Sequence, residues 1–202
     1  MLRAAIVFAG CMLLARGAAA QDVDYSLDAT ATFYGDNTEF FNPFRDGETT
    51  IGAHALVVGE ARMSDRLAIR GGVFANQRFG ARDAFDQVRP VITLVVGSPR
   101  SQLILGTINT VRRAQGIGPD RSGPHGLLPP LQVETLAFTR PWEAGVQWLL
   151  DTPRIRQESW VHWQRIVNSE ERERLDAGVT SRVKVHRAIT IGGDFFIVHE
   201  GG

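Results

Sequence analysis

The sequence predicts an all-β protein, an antiparallel up-and-down transmembrane β-barrel. Three observations predict it. Apolar residues recur at every second position through segments of about ten residues, the mark of a strand with two unlike faces. Short polar turns that end in arginine ("MSDR", "GSPR", "DTPR", "KVHR") alternate strictly with long, irregular loops rich in Gly, Pro and charge. The chain also opens on "MLRAAIVFAGCMLLARGAAAQDVDY", which reads as an export signal. The stretch "VVGEARMSDRLAIRGGVFA" contains the pattern in miniature, with Gly and Ala at face positions where a dry core would need bulk. Lipid requires an apolar outer face but no interlocking fit, so small residues are acceptable there.

The elements follow in order. A first strand covers 25–34. Four hairpins come after it: 50–63 with 67–78, 88–96 with 102–112, 142–150 with 155–164, and 174–183 with 188–199. In 50–63, Ile51, Ala53, Ala55, Val57, Gly59 and Ala61 share one face, while His54, Glu60 and Arg62 lie on the other. In 67–78, Leu67, Ile69, Gly71, Val73 and Ala75 oppose Arg70, Asn76 and Arg78. Trp142, Ala144, Val146, Trp148 and Leu150 oppose Glu143 and Gln147. The last hairpin sets Leu175, Ala177, Val179 and Val183 against Asp176 and Arg182, and Ile189, Ile191, Phe195 and Ile197 against Thr190 and Asp194. The segment 102–112 carries aliphatics on both faces, so its phase is ambiguous. No amphipathic helix of ordinary length is predicted.

In the first twenty residues, Arg3 precedes an apolar run from Ala4 to Leu14, and Ala18, Ala19 and Ala20 supply the small residues a signal peptidase reads. The run is shorter than the roughly 18–20 residues of a spanning helix, so it is expected to be removed rather than to anchor. A lipoprotein signal at Cys11 is disfavoured by Phe8 and by the apolar "MLL" that follows. The expected division is therefore 1–20 as signal peptide and 21–202 as barrel. Cys11 is the single cysteine, so the exported part has neither disulfides nor a thiol nucleophile. With 22 basic and 22 acidic residues interspersed, no basic stripe argues for a nucleic-acid partner.

In this combination of signal, strands, turns and loops, the chain resembles Gram-negative outer-membrane β-barrels of the porin-like kind, over nearly all of its exported length and by pattern rather than by motif. The resemblance implies location in the outer membrane, lipid around the strands, short periplasmic turns, and outward loops at 35–48, 79–87, 112–141 and 167–173. Trp142, Trp163 and Tyr34 are expected in the outer aromatic girdle. About nine strands is an odd number where single-chain bacterial barrels use an even one, which predicts an incomplete barrel, the front portion of a longer one; closure by association with further copies, as a homo-oligomer, is the other way to pair the edges.

The function expected on that basis is a channel for small solutes, not an enzyme. Arg62, Arg70, Arg78, Glu143, His162, Asp176 and Arg182 fall on the polar face and are the candidate pore-lining residues. The longest loop, with "GIGPDRSGPHGLLPP", is a candidate constriction, its charge supplied by Arg112, Arg113, Asp120, Arg121 and His125; an exposed surface loop is the equal alternative. The five histidines show no ligand spacing, so no metal, cofactor or catalytic residue is expected. Two other functions stay open. One is a soluble exported β-barrel binding an apolar ligand, with the apolar faces turned inward. The other is an outer-membrane hydrolase, in which His162 with Glu158 or Asp176 forms a group across strands without any local motif.

Overall fold

The computed structural model describes residues 23–38, 47–110, 124–127, 131, 141–167 and 171–201. The expected signal, 1–20, lies outside the described residues. Nine strands form one sheet: β1 (Asp24–Thr38), β2 (Glu48–Ser64), β3 (Leu67–Arg78), β4 (Gln87–Ser98), β5 (Ser101–Asn109), β6 (Trp142–Asp151), β7 (Ile155–Arg165), β8 (Arg174–His186) and β9 (Ile189–Glu200). Each is antiparallel to the next, in the order β1-β2-β3-β4-β5-β6-β7-β8-β9, the up-and-down arrangement the alternation predicts. The short turns are tighter than expected, because the strands run into them: the "KVHR" segment is strand as far as His186.

Register carries the period of two across the sheet. Gly59 opposes Gly71 and Glu60 opposes Arg70, so paired residues share a face except at the bulges by Ser64, Arg165 and His186. The ambiguous phase of β5 is set by its partner: Leu103 opposes Trp148 on the outer face, and Ile104 and Ile108 turn inward and are buried.

The two faces are inverted relative to a soluble domain. Phe33 is 81% exposed, and Leu27, Ile92, Trp148, Ile191 and Phe195 stand open on the same outer face. Left in water, those six side chains would forgo up to about 9–18 kcal/mol of burial free energy, at about 1.5–3 kcal/mol each. That is as large as the roughly 5–15 kcal/mol net stability of a whole domain. Such a surface belongs in hydrocarbon, and the soluble apolar-ligand binder, which needs these rows turned inward, is not what the sheet forms. On the inner face the polar groups are enclosed: Gln147 is 1% exposed and Asp176 is 3% exposed.

That inner face is not a water-filled lumen throughout. Ala68, Val95, Ile104, Ile108, Leu149 and Trp160 form a dry cluster across β3 to β7, joined by Leu127 from the β5–β6 loop, with Phe196 packed against it. A second cluster contains Val58, Phe74 and Val91, with Leu56 and Trp142 against it. Two girdle expectations change accordingly. Trp142 packs on the inner cluster, and Tyr34 is buried, donating its hydroxyl to Asn76 Oδ1 at 2.9 Å. Trp163 does face outward, its indole N–H donating to Glu173 at 2.8 Å.

In single-tryptophan variants reconstituted into brominated lipid, Trp148 and Trp163 are expected to be strongly quenched and Trp160, which is 3% exposed on the inner face, to be protected. Quenching of Trp160 equal to that of Trp148 would show that the faces are assigned the wrong way round.

Candidate active site on the inner face

The site is assembled from β6, β7, β8 and one loop. Side chains of a strand alternate, so Glu143 and Gln147 on β6, Glu158, Trp160, His162 and Gln164 on β7, and Asp176 and Gly178 on β8 all fall on the inner face. Register then brings them level: His162 opposes Gly145 on one side and Asp176 on the other, and Trp160 lies between Gln147 and Gly178.

Gly178 makes room for a ring. A Cβ there would collide with the six-membered edge of Trp160, so the absence of a side chain lets the indole lie flat along the sheet. His125 stacks on that indole, with centroids 3.9 Å apart and planes 9° from parallel. The histidine arrives from a 3₁₀ turn at Pro124–Gly126, held by its own amide donating to Thr110 O at 2.7 Å. It adopts φ 53°, a left-handed conformation costly for a residue with a Cβ and found where surrounding structure enforces it.

Both imidazole nitrogens of His125 face carboxylates: Nδ1 lies 2.5 Å from Glu158 Oε1 and Nε2 lies 3.1 Å from Glu143 Oε2. Gln147 Nε2 donates to the same Glu158 oxygen at 2.7 Å and to Asn109 O at 3.2 Å, which fixes that carboxylate. The side chain of His125 is fully buried. Burial alone would lower its pKa, but the hydrogen bonds to Glu143 and Glu158, with the charge of both, outweigh desolvation and lift it to about 9. The group is thus an imidazolium at neutral pH, clamped between two acids and lying over an indole face that favours a cation.

Glu143 is shared. Its Oε2 is also 3.3 Å from His162 Nδ1, which is 3.2 Å from Asp176 Oδ1. Gln164 Nε2 donates to the other oxygen of Asp176 at 2.6 Å. Acids and imidazoles therefore alternate from Glu158 through His125, Glu143 and His162 to Asp176. Within this row, Glu143, His162 and Asp176 are the set whose donor atoms lie close enough to hold a metal ion.

Of the candidate pore-lining residues, the structure brings Glu143, His162 and Asp176 together here. The arginines are elsewhere and sit in ion pairs: Arg62 and Arg70 share Glu60, each at 2.6 Å, Arg78 lies 3.2 Å from Asp86, and Arg182 lies 2.8 Å from Asp194. Arg112, Arg113, Asp120 and Arg121 lie outside the described residues, and His125 is the one member of the candidate constriction set among the described residues. Sequence reasoning did not place His125 with Glu158, nor Gln147 and Trp160 around it. The signal available was strand parity, which puts Glu158 and His162 on one face four residues apart; nothing in parity reaches a loop residue.

A buried row of acids and imidazoles, closed in by apolar packing and a loop, suits proton transfer better than ion passage. A family model described as lipid A 3'-O-deacylase-type matches residues 17–202. The chain belongs to the lipid A 3'-O-deacylase-type family. No curated protein matches it. Membership overturns the porin-like resemblance and the expectations of a solute channel and of a protein that is not an enzyme: this is a family of outer-membrane enzymes. The physical reason the channel expectation failed is that the sequence period reports which face meets lipid and is blind to what the enclosed face does. The outer-membrane location expected from the strands agrees with the family.

For this deacylase-type protein, Gly178→Ala is expected to destabilise by about 1–3 kcal/mol through overpacking against Trp160, read as a lower midpoint of heat modification in detergent. The raised pKa of His125 gives a second prediction. A folded-state value of about 9 above the ordinary 6.5 means that its contribution is complete below pH 6.5 and lost as pH rises through about 9. With chelator present, the thermal midpoint should fall across that window, and His125→Ala should flatten the slope; an equal slope in both proteins would contradict the clamp.

Proposed function

We propose that this protein is an outer-membrane esterase that hydrolyses the ester joining an acyl chain to the 3'-oxygen of lipid A. Family membership supports the reaction class and substrate, and the observation that carries the site is His125, stacked on Trp160 with one carboxylate at each ring nitrogen. Ester hydrolysis needs a proton taken from the attacking water and a proton given to the departing sugar oxygen. Glu158, fixed by Gln147, holds the ring through Nδ1, so exchange takes place at Nε2. The charged imidazole donates toward the leaving oxygen, and Glu143, facing Nε2, is the carboxylate placed to accept from water. The apolar surroundings strengthen both interactions by excluding solvent. The outer face, immersed in lipid, allows the acyl chains of a lipid substrate to remain in hydrocarbon while the sugar approaches the site.

Lipid A extracted from cells expressing the protein is expected to lose the mass of one ester-linked acyl chain, with amide-linked chains retained. His125→Ala should reduce the rate by about 10²–10⁴-fold, the contribution typical of a positioned proton-transfer group, and Glu158→Gln should reduce it less. Unchanged lipid A under conditions where the wild-type protein is folded in the membrane would refute the proposal, as would full activity in His125→Ala.

A further inference from the structure

The ladder between β4 and β5 stops short of the outer ends of both strands. β4 pairs with β3 from Gln87 to Val96, but with β5 only from Thr93 to Ser98. Continued in register, Ile92 would face Thr107, Val91 would face Ile108 and Pro90 would face Asn109, and none of these pairs forms. β5 is still strand there and pairs with β6 as far as Asn109 and Trp142. The outer part of β4, residues 87–92, is about 20 Å long at roughly 3.3 Å per residue. Among the described residues it has no ladder on its β5 side.

The local sequence makes this break and keeps it tolerable in lipid. Gly106, the last β5 residue in the ladder, adopts φ 101°, a conformation that disfavours a side chain, and a Cβ there would collide with Ile92 O. Pro90 has no N–H to leave unpaired. The Ile92 N–H donates to Thr107 Oγ1 at 3.1 Å, and the Thr93 hydroxyl donates to Thr107 O at 2.6 Å. Arg89 reaches past β5 to donate to Trp142 O at 3.2 Å. Backbone groups facing hydrocarbon must find partners within the protein. Here side chains provide them, and a hydroxyl or guanidinium can rotate away without unzipping a strand.

Both flanks of the seam lead to the site. Asn109 O accepts from Gln147 at 3.2 Å, and Gln147 fixes Glu158. The carbonyl that Arg89 holds belongs to the residue before Glu143. Apolar surface is continuous across the seam: Ile92 and Val88 are exposed on the β4 flank, Val91, Ile108 and Phe74 are fully buried behind it, and Trp142 packs on the cluster of Val91 and Phe74. The β6–β7 ladder also ends early, at Gly145 and His162, but beyond it Trp163 faces outward with its indole N–H on Glu173. We propose that the β4–β5 seam parts to admit one acyl chain of a lipid substrate from the surrounding bilayer. The ester end passes between Ile92 and Thr107 toward Glu143 and His125 while the tail stays in hydrocarbon. Withdrawing the chain through a polar mouth would instead expose every methylene to water. The identity of the chain as part of an ester substrate rests on the esterase reading above.

In the full chain with Cys11→Ala, Ile92→Cys and Thr107→Cys are oxidised after folding to lock the seam, and reductant reopens the same molecules. Oxidation is expected to slow release of the ester-linked chain from lipid A in vesicles at least tenfold, with recovery on reduction. A control disulfide across a complete ladder, Val57→Cys with Val73→Cys, should leave the rate unchanged. A second readout needs no catalysis. With Trp142 as the sole tryptophan, brominated lipid should quench its fluorescence in the reduced protein and less than half as much in the locked one. Thr107→Val, which removes the hydroxyl that holds Ile92, should increase that quenching, and Thr107→Ser should return it to the wild-type level. Full rate in the locked protein, an equal loss in the control, or Trp142 quenching that the lock does not change would overturn the seam as an entry. Quenching governed by the lock in a protein that never deacylates lipid A would refute the esterase reading and uphold the seam.

Discussion

A sheet surrounded by hydrocarbon must satisfy its backbone within itself and turn its polar side chains to the enclosed side, and everything else in this molecule follows from that constraint. With nine strands paired in sequence order, each residue's face is set by parity, so Phe33 and Phe195 meet lipid while Glu143, Gln147, Glu158 and Asp176 are enclosed. Enclosure lowers the local dielectric and makes each unpaired polar atom costly. The inner face therefore either pairs its charges, as Arg62 and Arg70 do on Glu60 and Arg182 does on Asp194, or organises them into the row centred on Glu143.

That row explains why the loop matters. Alone, β6 to β8 would present three buried acids with one imidazole between them. His125 enters from the β5–β6 connection with a cation that two of those acids require, and Trp160, flat because Gly178 has no side chain, provides the floor on which the ring rests. The same histidine is held in a left-handed conformation by Thr110, so backbone strain in the loop is offset by ion pairing in the site. Leu127 follows two residues later into the dry cluster with Ile104, Ile108 and Leu149, which pins the segment and excludes water beside it.

Strand parity was legible in the sequence: the outward rows of β2, β3, β6, β8 and β9 and the common face of Glu143, His162 and Asp176 follow from a period of two. Parity failed where both faces of a strand are aliphatic, as in β5, and where an aromatic serves the inside, as with Tyr34 hydrogen-bonded to Asn76. The chemistry was not legible, because it draws on four segments and no two of its residues form a motif. His125 is the clearest case, since only a folded loop brings it to Glu158, and a reading based on ligand spacing along the chain left it as a scattered charge. The inference of a channel had the same source: alternation describes the wall, and a wall of this kind serves pores and enzymes alike.

The enclosed site exists only if the wall turns Glu143 and Gln147 inward, and spin-label accessibility along β6 tests that most directly. Cysteines introduced one at a time at 143, 144, 146, 147 and 148 in a Cys11→Ala background, labelled and reconstituted in lipid, should show high oxygen accessibility at 144, 146 and 148 and low accessibility to both oxygen and a polar nickel chelate at 143 and 147. Oxygen accessibility greatest at 143 and 147, with 144, 146 and 148 protected, would mean that the row of acids and imidazoles faces lipid and that no enclosed site exists.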